Sequence, residues 1–196
     1  MNKKFLDLGY HPLANRYLKK FKKLSIKKGE LYKLGVGFNT KTKLVSLIKK
    51  IPDKKMFDKN YPYRSSMSKT MINSFKKLSI KIKKKFKPKL FLEIGSNDGA
   101  LIQNFNKNKV VCVEPCSNLA KITKKKGYYT YDNYWNFDLA KRIKKKFDYI
   151  DVIYSSNTLT HINNLNEVFK SISLILNKNG VLIIEDPSIL ECIKKG

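Results

Sequence analysis

From Lys89 onward, short apolar runs alternate with amphipathic stretches at a regular spacing. Leu90-Phe91-Leu92-Glu93-Ile94 reads as a buried strand, and Val110-Val111-Cys112-Val113 as a second. Further strands are predicted over residues 128–131, 151–154 and 181–184. Apolar positions at helical spacing predict helices over residues 100–105, 117–126, 137–146 and 165–176. Strands that alternate with helices build βαβ units, and those demand a mostly parallel sheet covered on both faces. The fold class is therefore α/β, of the Rossmann-like kind.

The first 60 residues lack this rhythm. A short apolar stretch, Phe5-Leu6-Asp7-Leu8-Gly9, precedes His11-Pro12-Leu13-Ala14-Asn15. Two short strands are expected around residues 31–38 and 43–48, with turns at Gly29 and at Asn39-Thr40. Otherwise this is a small irregular region. Tyr61-Pro62-Tyr63-Arg64-Ser65-Ser66 reads as an extended segment ending in helix-cap residues. The helix after it sets Met67, Met71, Phe75, Leu78 and Ile82 near one face, and Pro88 stops it. The expected organisation is a small irregular module over residues 1–65, a linking helix over 66–88 and an α/β core over 89–196.

Charge is distributed unevenly. The chain of 196 residues has a formal net charge of +27, and residues 1–89 hold 27 Lys/Arg against 4 Asp/Glu. Such a field attracts anions. The basic residues are 39 Lys and only 3 Arg, however, as AT-rich coding sequence would produce. Readers of nucleic acid lean on bidentate Arg, so a nucleic-acid partner is disfavoured. No apolar run has the length of a membrane span, and the start lacks a secretory pattern, so a cytoplasmic location without a membrane partner is expected. Cys112, Cys116 and Cys192 form no CxxC pair, which argues against a disulfide framework or a zinc knuckle.

The candidate chemistry sits between the first core strand and its helix, in Glu93-Ile94-Gly95-Ser96-Asn97-Asp98-Gly99. An open α/β sheet binds nucleotides there, beyond the carboxyl ends of its strands. Gly95 and Gly99 permit a sharp turn and close approach to a ligand. Glu114, at the end of the second strand, is spaced to accept hydrogen bonds from both ribose hydroxyls. A dinucleotide would need its pyrophosphate where Asp98 lies, with Glu93 adding a second negative charge. Two carboxylates repel phosphate but suit the cationic amino-acid end of S-adenosylmethionine, which is therefore preferred to NAD. A tight turn holding no ligand is the plainer alternative.

Several segments together resemble a known family. They are Leu92 through Gly99, Val113-Glu114-Pro115, Ser156-Asn157-Thr158-Leu159-Thr160-His161-Ile162 and Gly180 through Glu185. Upstream, Leu8 through Asn15 and Tyr61 through Ser68 add to the likeness. The chain resembles the nucleotide-sugar C-methyltransferases, which methylate C-3 of keto-deoxysugars. The resemblance implies a cofactor site lined by Glu93, Gly95, Ser96, Asn97, Asp98, Gly99, Glu114 and Asn157. It also implies that Tyr61 or Tyr63 and His161 face a nucleotide-linked sugar. The implied chemistry removes a proton beside a ketone, and the resulting enolate attacks the S-adenosylmethionine methyl group. This needs a general base and a donor to the enolate oxygen. Equally, His161 reads as a structural histidine at a helix start, and the two tyrosines as a packed elbow.

The chain departs from that family twice. The family's N-terminal module holds zinc with two cysteine pairs, whereas Asn39 and Thr42 stand where the second pair would fall, so no metal is expected. The family's residues after the fifth strand, including a Tyr/His/Glu-rich segment, have no counterpart before Gly196. A truncated, split or reduced relative is the expectation, with a second chain as a possible source of the rest.

Overall fold

The computed structural model describes residues 2–15, Tyr17 and residues 31–195. The turn expected at Gly29 lies outside the described residues. Contacts divide the chain into two compact units, Met1–Met56 with Ser188–Gly196, and Phe57–Pro187.

The first unit has the two strands expected around residues 31–38 and 43–48, and one correction: residues 2–12, read as irregular, form a third strand. Its strands β1 (Asn2–Pro12), β2 (Leu31–Asn39) and β3 (Val45–Leu47) form an antiparallel sheet in that order. In β1, Leu6, Leu8 and Tyr10 alternate with Phe5, Asp7 and Gly9, but Phe5 on the other phase and Gly9 within the run blur the period of two. Its ladder with β2 is also irregular, with register shifts between Lys4 and Leu6 and between Asp7 and Tyr10. The predicted Asn39-Thr40 turn is present. Asn39 Oδ1 accepts the N–H groups of Lys41 and Thr42 at 3.0 and 2.9 Å. Short helices α1 (Asp53–Met56) and α6 (Ile189–Lys195) complete this unit.

In the second unit, α2 (Lys69–Phe86) precedes the sheet. Ser68 caps it by accepting Met71 N–H at 3.2 Å, and Lys87 ends it in the left-handed conformation, just ahead of Pro88. Phe75 and Ile82 are buried as the periodicity predicts, but Met67 is 80% exposed because it belongs to a separate turn before the helix.

Five parallel strands follow, β4 (Phe91–Ile94), β5 (Val110–Val113), β6 (Tyr129–Tyr131), β7 (Ile150–Ser156) and β8 (Leu176–Glu185). Their spatial order is β6-β5-β4-β7-β8, which places β4 at the centre and the reversal of winding beside it. Helices α3 (Ser117–Lys125), α4 (Phe137–Phe147) and α5 (Leu165–Ile175) connect them. Asn136 caps α4 through Leu139 N–H, and Asn164 caps α5 through Glu167 N–H.

Alternate residues of the central strands feed two cores. Leu92, Ile94, Val111, Val113 and Ile153 pack with Leu139, Ile143, Val168 and Ile172 of α4 and α5. Phe91, Val110, Cys112, Val152 and Tyr154 pack with Phe75 and Ile82 of α2 and with Ala100–Ile102. Strands buried on both faces explain the near-continuous apolar runs in the sequence.

The helix expected over residues 100–105 is instead a single 3₁₀ turn, Ile102–Asn104. Gln103 Nε2 donates to Ala100 O, and Asn104 Nδ2 donates to Leu101 O, both at 2.9 Å. Those side chains take carbonyls that a helix would use, and six residues cannot repay helix nucleation.

Candidate functional site

The carboxyl ends of β4, β5 and β7 meet at the point where the winding reverses, and their loops form the site. Gly95 (φ +78°) and Gly99 (φ +88°) both occupy the left-handed region. Gly95 N–H and Ser96 N–H both donate to Val113 O, at 2.8 and 3.1 Å, so the β4 loop folds over the end of β5. Ser155 Oγ donates to Ile94 O at 3.2 Å from β7.

Glu93 is the group that most needs explaining. It points from the central strand, is 4% exposed, and its Oε2 has no hydrogen-bond partner among the described residues. Burial, then the nearby Glu114 and Asp98 carboxylates, push its pKa well above the usual carboxylate range. A buried carboxylate with an open acceptor suits a cation or an N–H donor. Ser96 Oγ and Asn118 Oδ1, from the β4 loop and the first turn of α3, are likewise buried without partners.

Glu114 is buried and doubly engaged. Its Oε2 accepts Asn97 N–H and its Oε1 accepts Cys116 N–H, both at 2.8 Å. Burial raises its pKa, and these bonds partly offset that rise. The Cys116 thiol is a third donor to it, and with about four acceptor sites on the two oxygens the carboxylate keeps capacity for an incoming hydroxyl. Cys112 lies under the loops, where burial pushes its thiol up to about 12, and it stays a neutral packing residue.

Asn97 and Asp98 do something the sequence did not suggest. Asn97 sits at φ 49°, and its Oδ1 accepts Ser65 N–H at 2.9 Å, while its Nδ2 donates to Tyr63 O at 3.3 Å. Asp98 Oδ1 accepts Ser66 N–H at 3.2 Å, and Asp98 Oδ2 accepts the Ser66 hydroxyl. Asn118 Nδ2 donates to Tyr61 O at 2.8 Å. The Tyr61–Ser66 segment is thereby bound to the β4 loop and to the first turn of α3.

Tyr61, Tyr63 and His161, the residues expected to face a sugar, are brought together only in part. The rings of Tyr61 and His161 both flank Phe57, at 5.5 and 5.4 Å between centroids. Tyr63 is 44% exposed and enters the network through its carbonyl alone. His161 ends the 3₁₀ turn Leu159–His161, near Asp186. Burial raises the Asp186 pKa, against a hydrogen bond from Thr160 Oγ1 at 3.1 Å and attraction to His161. Asn157, at φ 49°, donates its N–H to Glu185 O at 2.7 Å and so joins the β7 and β8 loops. Phe57, Asn118 and Asp186 were not singled out from sequence, and Ser66 was read only as a helix-cap residue; Ser68 is the cap, and Ser66 bonds Asp98.

A methyltransferase-domain family matches residues 63–191. The chain belongs to that family. A curated relative, the C-methyltransferase NovU of Streptomyces niveus, is 28% identical over 109 residues, which is 55% of this chain and 26% of NovU. A solved structure from Methanococcus maripaludis, named as an S-adenosyl-L-methionine-dependent methyltransferase, superposes with a TM-score of 0.50 at 19% identity. It covers 61% of this chain and 59% of that one, and it supports the fold. The chain thus spans about a quarter of NovU and under two thirds of the methanococcal protein. No helix among the described residues is long and apolar enough to cross a membrane.

Proposed function

We propose that this chain binds S-adenosyl-L-methionine across the β4 and β5 loops and serves methyl transfer to a carbon of a nucleotide-linked deoxysugar. The carrying observation is Glu93, a buried carboxylate with an open Oε2 at the carboxyl end of the central strand. Such a group fits the α-ammonium of the cofactor's amino-acid end. Glu114 keeps acceptor capacity for a ribose hydroxyl, and the left-handed Gly95 brings backbone close to the ligand. Ser96, Asn97, Asp98, Gly99 and Asn157 complete the surround, Asn97 and Asp98 partly through the segment they hold. When bound, the cofactor supplies an electrophilic methyl group. The name of NovU, a C-methyltransferase, supports carbon as the acceptor atom.

On the acceptor side, Tyr61, Tyr63 and His161 are the groups proposed to face the sugar. The attraction between His161 and Asp186 supports a role for His161 in holding or passing a proton. A second reading is a cofactor-binding part whose remaining acceptor-side groups come from elsewhere in the protein or from a second chain. It is favoured by the match to only 26% of NovU.

Calorimetric titration with S-adenosylmethionine tests the proposal, with Glu93→Gln as the variant and NADH as the competing ligand. Micromolar binding that weakens at least tenfold in the variant is expected, with no heat from NADH. A folded wild type that gives no heat with S-adenosylmethionine overturns the reading.

A further inference from the structure

Three polar side chains, two from a loop and one from a helix start, converge on one extended segment. Asn97 and Asp98 leave the β4 loop, and Asn118 leaves the start of α3. Together they make five hydrogen bonds to residues 61–66, four of them to backbone groups. Asp98 is 2% exposed and uses both carboxylate oxygens on Ser66. A buried charge held this way is strongly oriented, because removing either partner leaves the other unsatisfied.

We propose that Asn97 and Asp98 are positioning residues whose side chains latch the Tyr61–Ser66 segment onto the cofactor loop. Occupancy of that loop is then felt directly by the segment that carries Tyr61 and Tyr63. The inference rests on the cofactor reading above for its ligand, though the latch itself is defined by the hydrogen bonds alone. The coupling is short and local. Asn97 N–H is fixed by Glu114, the residue proposed to meet the ribose, while Asn97 Oδ1 holds Ser65 N–H. A ligand that tightens Glu114 and the backbone of residues 95–99 therefore tightens residues 61–66. Acceptor-side geometry would be completed only with the cofactor in place, an arrangement that favours ordered binding.

Amide hydrogen exchange tests this on the whole chain, comparing wild type, Ser66→Ala and Ser66→Thr, each with and without S-adenosylhomocysteine. Without ligand, the Ser65 and Ser66 amides should exchange about tenfold faster in Ser66→Ala, as loss of one charge-assisted bond implies. Ser66→Thr keeps the hydroxyl and should restore the wild-type rate. With ligand, wild type and Ser66→Thr should gain protection over residues 63–66, and Ser66→Ala should not. Unchanged exchange in Ser66→Ala, or equal ligand protection in all three proteins, overturns the latch. If wild type fails to bind the ligand in a parallel titration, the cofactor reading fails instead. The unliganded comparison of the three proteins then still decides the latch.

Discussion

Gly95 faces Thr158 so closely that a Cβ at Gly95 would lie 2.2 Å from Thr158 Oγ1. The loops after β4 and β7 thus touch through a missing side chain, and the close approach fixes the mouth of the site. Thr158 cannot readily turn aside, since its Oγ1 donates to Ser156 O at 2.9 Å. Gly95→Ala combines this clash with a left-handed φ, and a cost of about 1–3 kcal/mol is expected. Thr158→Gly in the same chain should recover the steric part and leave the backbone part. A double-mutant cycle by urea denaturation separates the two. Purely additive losses would show that the approach is not fixed as described.

Glu114 ties the β4 loop to the start of α3 by two backbone N–H groups, a task that asks for two acceptor oxygens. Glu114→Gln keeps one acceptor and turns an amide donor toward a second N–H. A loss of about 1–3 kcal/mol in stability is expected, with weaker S-adenosylmethionine binding. Glu114→Asp keeps both oxygens but shortens their reach, so ligand affinity should fall more than stability. The same titration and urea curves provide both readouts.

Glu93 makes stability depend on pH in a direction unusual for a carboxylate. Its proton is retained in the folded chain at pH values where the unfolded chain has released it, because burial and then Glu114 and Asp98 raise its pKa. The unfolded state therefore binds fewer protons, and stability falls as pH climbs from the ordinary glutamate pKa, about 4.3, toward the raised one. Glu93→Gln removes that slope and should raise the denaturation midpoint at neutral pH while abolishing tight cofactor binding. A bound ammonium favours the ionised carboxylate, so wild-type binding should release a proton and show an enthalpy that depends on buffer. A Glu93→Gln protein less stable than wild type at pH 7 would refute the argument.

Much of this was readable from the chain because parallel strands buried on both faces leave uninterrupted apolar runs. The glycine loop was legible because Gly95 and Gly99 stand where left-handed backbone is needed. What escaped the sequence has physical causes. β1 was hidden because Phe5, Leu6, Leu8 and Tyr10 all stay exposed in a sheet that buries little, and Gly9 interrupts their pattern. Asp98 read as a ligand-facing charge, since nothing local announces that Ser66, 32 residues earlier, takes both its oxygens. Phe57 is one aromatic among many until the fold sets it between Tyr61 and His161. Contacts that depend on tertiary placement leave no periodic trace.

At the opposite end of the sheet, a cavity of about 300 Å³ opens beside Asp151, lined also by Phe86, Lys87, Asn177 and Val181. Asp151 is the tie there. Its Oδ2 accepts Lys89 N–H and Leu90 N–H at 2.9 and 3.0 Å, and its Oδ1 accepts Asn177 Nδ2 at 3.0 Å. One carboxylate thus aligns the starts of β4, β7 and β8. Burial alone would raise its pKa, but bonds from Leu90, Asn177 and Lys89 outweigh burial and lower it. The stability it contributes is present above the ordinary aspartate pKa, about 3.9, and is lost as pH falls through the lower folded value. Asp151→Ala should cost about 1–3 kcal/mol at pH 7, because three donors lose their acceptor. Asp151→Asn should cost less, since an amide oxygen in the place of Oδ2 still accepts both strand-start N–H groups. The gap between wild type and Asp151→Ala should narrow as urea midpoints are followed from pH 7 to pH 3. A gap that stays constant over that range would mean that packing, and not the carboxylate's charge, holds the three strands in register.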